Sequence, residues 1–285
     1  MKKYTVFFRS NIRLIIISVL ALLIIMSAVL APAIVPYDPY ESVLRDALKS
    51  PDKVHIFGTD LLGRDIFSRI IYGTRTSITS TLFVLGIVFI AGLILGLISG
   101  YFGGAVDAVI MRVADTMIAF PALILAIAIA GILGPDMINS VAAIAAVSWP
   151  RYARLARSMV LKIKNRDYIT AAYVTGSKTI YLFKAYFLPN VLPTMIITAA
   201  TDIGTFMLSL ASLSFLGFGV QPPTPEWGYM LSEGRNYLQS APWLMLYPGI
   251  AIFIFVVVFN LLGEQIRDML DPKSRSKSLI LEREK

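Results

Sequence analysis

The sequence has no cysteine and one histidine, His55, among 285 residues. The first absence excludes disulfides, thiol nucleophiles and Cys-ligated metals. The second excludes metal sites and acid–base chemistry built on several imidazoles. Charge is scarce as well: Asp, Glu, Lys and Arg make up 15% of the chain, against about 25% in an average soluble domain. With 56% of residues hydrophobic, an ordinary water-soluble fold is ruled out. Repeats of 20 to 50 residues, a clear inverted repeat and low-complexity stretches are also missing.

What is present is a series of long uncharged runs. Residues 76–106 contain 31 consecutive uncharged positions and residues 236–263 contain 28, where a bilayer crossing needs about 20. The charge-free intervals predict an all-α polytopic membrane protein with six spans: 14–35, 76–102, 116–133, a fourth after Asp136, 193–216 and 243–263. The first run is too long for a cleavable signal peptide, whose apolar core is about 7 to 15 residues. The fourth must continue through Pro150 and let Arg151, Arg154 and Arg157, three apart on one helical face, snorkel toward the interface.

An even number of spans puts both termini on one side. With the termini inside, cytoplasmic segments hold 19 of the 26 Lys and Arg residues, as the positive-inside rule requires. The loop 37–75 is then outside; its six basic residues are matched by six acidic ones. The net charge of +8 therefore sits on the inner face, where anionic lipid explains it without nucleic acid. Two polar insertions remain for function: 37–75 outside and 151–193 inside.

In the inner insertion, Ala171, Ala172 and Gly176 offer a side-chain-poor patch that another backbone can approach closely. Ile180, Tyr181 and Phe183 follow as apolar anchors. The pattern suits either a docking element or an interfacial helix covering the bundle. Gly176-Ser-Lys-Thr lacks the second glycine of a phosphate loop, so no ATP site is expected in this chain. Ala171-Ala172, Gly176 and Leu188-Pro189-Asn190 resemble the signature loop of ABC importer permeases, with Thr170 in place of that family's Glu and Tyr186 in place of a His common in one subfamily. In that family the loop is a coupling helix seated on an ATPase subunit.

From within the outer insertion, His55-Ile-Phe-Gly58-Thr59-Asp60-Leu-Leu-Gly63-Arg64-Asp65-Ile-Phe-Ser68-Arg69-Ile-Ile-Tyr72-Gly73-Thr-Arg75-Thr-Ser77 resembles a segment of one membrane subunit of dipeptide, oligopeptide and nickel ABC importers. A block from Leu213 to Gly228 is similar to the stretch after that subfamily's fifth span, with Leu210 where a Glu is usual. Physically, a helix from about Asp60 would pair Asp60 with Arg64 and Asp65 with Arg69, while Gly58 and Gly63 permit tight turns. The loop reads as a structural cap on the first spans or as part of an outer gate or binding-protein platform. His55 alone reads as a hydrogen-bonding residue.

Asp202 lies inside the fifth span, where a carboxylate costs at least about 2.5 to 3.5 kcal/mol, and no basic residue shares that span. It is expected to line a translocation path and meet a solute cation, or else to be a structural carboxylate capped by Ser or Thr. Gly92, Gly96 and Gly100 form a bare face for helix packing, within this subunit or against a second one. Trp149, Trp227 and Trp243 are expected as interfacial anchors.

The resemblance implies a type I permease fold with three parts: a tail, first helix and outer loop over 1–75; a five-helix core over 76–263 with a coupling loop at about 165–190; and a cytoplasmic tail over 264–285. It implies a non-enzymatic transport subunit, without cofactor or metal, in a bacterial or archaeal plasma membrane. Its partners would be a second permease subunit, two cytoplasmic ATPase subunits that bind the ATP, and an extracytoplasmic substrate-binding protein, importing di- or oligopeptides. A stand-alone ion-coupled transporter would need more deep ionisable groups than Asp202. An intramembrane protease would need a His, a Lys or a second buried acid.

Overall fold

The computed structural model describes residues 2–270; the expected cytoplasmic tail lies for the most part beyond them. Among the described residues the regular elements are all helices, joined by turns and loops, with a single isolated bridge between Thr59 and Asp65 and no strand. The helices are α1 (Lys2–Val29), α2 (Ala31–Ile34), α3 (Ile66–Phe102), α4 (Gly104–Ile118), α5 (Ala122–Leu133), α6 (Met137–Lys164), α7 (Asp167–Val174), α8 (Thr179–Leu182), α9 (Leu188–Phe215), α10 (Trp227–Gly234) and α11 (Trp243–Leu270). A π-helical turn, Phe183–Phe187, joins α8 to α9.

Four stretches are long and apolar enough to cross a bilayer: Ile12–Val29, Ile66–Phe102, Thr179–Phe215 and Trp243–Met269. The continuous third span expected over 116–133 is not there. The chain bends by 94° between α4 and α5, because Pro121 disfavours helix at the residue before it and has no N–H to continue the ladder. Pro121 instead starts α5 from an extended ψ of 121°. The expected fourth helix does run unbroken through Pro150; its charges keep it off a purely hydropathic count. Pro193 lies inside α9 rather than at its start.

Side-chain-poor surfaces set how closely these helices approach. A Cβ on Gly92 would lie 2.3 Å from Tyr152 Cβ, and one on Gly96 2.4 Å from the Ala153 carbonyl oxygen. The expected glycine seam is thus internal, between α3 and α6. A second seam joins α9 to α11, where a Cβ on Gly263 would meet the Ala200 carbonyl oxygen at 2.6 Å. Two apolar cores result. One gathers α3, α5, α6 and α9 around Val88, Ile144 and Val191. The other gathers α1, α3, α10 and α11 around Ile70, Trp227 and Phe255.

One tryptophan departs from the interfacial expectation. Trp227 is buried in the second core, its Nε1 donating to the Ile70 carbonyl at 3.0 Å. Trp149 is half-buried midway along α6.

Candidate functional site

Three constellations stand out. The first is the folded loop ahead of α3. The helix begins at Ile66, not at Asp60, because the Asp65 carboxylate caps it by accepting from the Ser68 backbone N–H and hydroxyl, each at 2.8 Å. Asp65 is therefore engaged at the cap and with His55 Nδ1 at 2.9 Å, so the expected Asp65–Arg69 pair does not form. The Asp60–Arg64 pair does form, at 2.6 Å from Arg64 Nε, but within a turn. Asp60 Oδ1 accepts from the backbone N–H groups of Leu62 and Arg64. Gly58 and Gly63 both hold φ of +75°, and a Cβ on Gly63 would lie 1.9 Å from the Val43 carbonyl oxygen. Thr59 is buried; its backbone carbonyl accepts from Trp243 Nε1 at 3.2 Å.

Both arginines of this loop are fully buried, and both reach Glu233 of α10. Arg64 Nη2 donates to Glu233 Oε1 at 2.9 Å, and Arg69 Nη2 to Glu233 Oε2 at 3.3 Å. Arg69 Nε lies 3.4 Å from Asp60 Oδ2, and its Nη1 donates to the Pro39 and Pro223 carbonyls. Two cations and two carboxylates thus lock the loop onto α10. At the exposed rim, the Lys49 ammonium holds the Asp46 carboxyl below the usual range, and the backbone N–H groups of His55 and Val54 do the same for Asp52.

The second constellation lies along α6 and α9. Asp202 is buried, but an arginine from another helix answers its charge. Arg151 Nη1 donates to Oδ1 at 3.1 Å and the Tyr152 hydroxyl donates to Oδ2 at 3.0 Å. The next arginines of the face also pair rather than snorkel freely: Arg154 with Asp115 at 2.5 Å, and Arg157 in a two-pronged bond with Asp107 at 2.5 and 2.6 Å. The kink between α4 and α5 leaves a cavity of about 600 Å³ walled by Met117, Phe120, Val147, Arg151, Tyr152, Arg154, Asp202, Thr205, Phe206 and Ser209.

The third constellation is the 151–193 insertion. Ile169, Leu182 and Phe187 are fully buried and anchor it to the bundle. Thr170, Ala171 and Gly176 are exposed while Ala172 faces inward. The α7 terminus closes with two reciprocal bonds, Ser177 N–H to the Ala172 carbonyl and Gly176 N–H to the Tyr173 carbonyl, around Gly176 at φ +77°. This is the left-handed glycine stop of a helix. Val174, Ile180 and Tyr181 project outward beside it. Leu188, Pro189 and Asn190 form the first turn of α9, where a proline is tolerated; Asn190 Nδ2 donates back to the Tyr186 carbonyl at 2.7 Å.

Residues 92–276 match the family described as the binding-protein-dependent transport system inner membrane component. The chain belongs to that family. Over 279 residues it is 42% identical to the dipeptide transport system permease protein DppC of Haemophilus influenzae, covering 96% of this chain and 95% of that one. It is also 42% identical over 262 residues to the nickel transport system permease protein NikC of Escherichia coli, covering 92% and 93%. Among solved structures, the inward-facing MetNI methionine ABC transporter superposes with a TM-score of 0.57 at 17% identity, covering 72% of this chain and 98% of that one. The fold is thus that of an ABC importer permease. As a member of this family, the chain is a multi-pass, non-enzymatic transport component of a bacterial membrane, and ATP is used by separate subunits.

Sequence reasoning missed Glu233 and Glu226. Glu226 caps α10, accepting from the N–H groups of Gly228 and Tyr229 at 2.9 and 2.8 Å; a Glu just before a helix start is its one local signal. Glu233 has no local signal.

Proposed function

We propose that this chain is one half of the pore of an ATP-driven importer of short peptides, with six spans contributed by α1, α3, the bent α4–α5 pair, α6, α9 and α11. Both termini are cytoplasmic, the loop before α3 faces the outside, and α7 with the turn after it faces the ATPases. The charge distribution along the sequence supports this orientation. Residues 1–75 form the entry helix and outer cap, 76–263 the pore-forming core, and 264–285 an inner tail. A second permease subunit completes the pore. One of the two ATPase subunits seats on Thr170, Ala171, Gly176 and the neighbouring apolar side chains, the other seats on the second permease subunit, and a substrate-binding protein delivers solute at the outer loop.

The observation that carries the coupling role is the exposed, side-chain-poor α7 terminus. It is flanked by the outward-facing Val174 and Ile180 and rooted by the buried Ile169 and Leu182. Such a patch lets a partner pack closely while its root transmits the displacement to α6 and α9. Closing the ATPases then moves the seated segments and shifts the pore between inward-open and outward-open populations. Asp202, on the wall of the cavity between α6 and α9, lines the solute path.

The peptide assignment follows the dipeptide relative and the charged cavity wall; the nickel relative is as similar, so the solute needs its own test. In the complex reconstituted with its binding protein, dipeptides are expected to stimulate ATP hydrolysis severalfold and Ni²⁺ not at all. Stimulation by Ni²⁺ alone would replace peptide with metal as the cargo.

A further inference from the structure

Two opposite charges share the wall of the α6–α9 cavity, and they are not equally offered to it. The Arg151 side chain is 66% exposed and the Asp202 side chain 7%. Asp202 has both oxygens engaged, one by Arg151 and one by Tyr152. A solute cation would have to displace a guanidinium to reach it. Arg151 is in the converse position, since its Nη1 holds Asp202 while its Nε and Nη2 have no partner among the described residues. A guanidinium carries five N–H donors in a planar fork that matches a carboxylate. Arg154, the other cation of the wall, is already bound to Asp115 at 2.5 Å.

We propose that Arg151 determines specificity by taking the carboxylate of the solute, while Asp202 and Tyr152 hold its guanidinium in position for that contact. The inference rests on the reading of the chain as half of a peptide-importing pore and adds which solute group this wall recognises. The surroundings favour such a contact. Phe120, Val147 and Phe206 lower the local polarity, which strengthens a charge-assisted bond. The cavity, at about 600 Å³, falls within the size range of small-molecule sites. One half-satisfied cation suits a singly charged carboxylate better than a dianionic phosphate, which would leave excess negative charge beside Asp202. Asp202 is therefore a positioning residue, and the recognised charge is negative rather than the cation expected from the sequence.

The test uses the whole transporter in proteoliposomes, with Arg151→Gln, Asp202→Asn and the double variant. Uptake of a dipeptide with a free C-terminal carboxylate is measured per assembled complex. Arg151→Gln is expected to lower uptake by about tenfold, the loss of one charged hydrogen-bonding contact. The double variant should stay as low as Arg151→Gln. If Arg151 serves only to neutralise Asp202, removing both charges restores uptake, and that recovery overturns the inference. Should Arg151→Gln fail to assemble, Arg151→Lys keeps the charge beside Asp202 while losing the fork; wild-type uptake in that variant also overturns it. A wild-type complex that imports no dipeptide defeats the peptide reading itself, and the inference with it, a result distinct from either reversal.

Discussion

Arg64 and Arg69 bring two positive charges out of water, and neither position is tolerable without Asp60 and Glu233. Removing one member of a buried ion network costs about 3 to 5 kcal/mol, because the remaining charges stay buried without a counter-ion. Arg64→Gln is therefore expected to destabilise the loop–α10 junction by about 3 kcal/mol, seen as a lowered thermal midpoint in detergent and faster proteolysis within residues 37–65. Asp38→Asn, at an exposed position of the same loop, should change either by little. Equal sensitivity at both sites would contradict the network. Half of this network was legible beforehand: the four-residue spacing of Asp60 and Arg64 announced their pair. Glu233 lies 169 residues from Arg64, and no local pattern links them. Asp65 misled because one carboxylate had two competing uses, a cap and an ion pair, and the helix start took it.

At the scale of elements, glycine and proline positions carried most of the information, and they carried it unevenly. The four-residue repeat of Gly92, Gly96 and Gly100 announced a close helix contact, although not which helix would fill it; α6 does, through Tyr152, Ala153 and Val160. Pro121 was hidden inside an apolar run, so charge counting passed over the 94° bend. Gly176 looked like part of a smooth patch, and its exposed position agrees, but the residue is also required by the left-handed stop of α7. A large residue at Gly176 would confound strain with lost contact. Ala171 is the cleaner probe, being helical and exposed. Ala171→Arg is expected to leave insertion and chain level intact while cutting ATP-driven uptake at least about tenfold, the effect of a buried unpaired charge at an interface. Normal uptake by this variant would remove α7 from the ATPase contact.

For the molecule as a whole, composition alone excluded a soluble fold, and the basic surplus divided the chain into two faces. Those inferences needed no tertiary knowledge, because bilayer thickness and leaflet charge act on the sequence directly. The pairing of Asp202 with Arg151 did need it, since α9 supplies the acid and α6 the base. The structure holds a loop locked to α10 by ion pairs, a charged cavity at the bent α4–α5 pair and an exposed α7 terminus, and in the proposed function these three parts work only with partner subunits. Solute flux measured in proteoliposomes holding this chain with its second permease, ATPases and binding protein tests that dependence most directly. Uptake should require ATP and cease when the ATPases are omitted, whatever ion gradient is imposed. Uptake by this chain alone, driven by a proton or sodium gradient without ATP, would contradict the account.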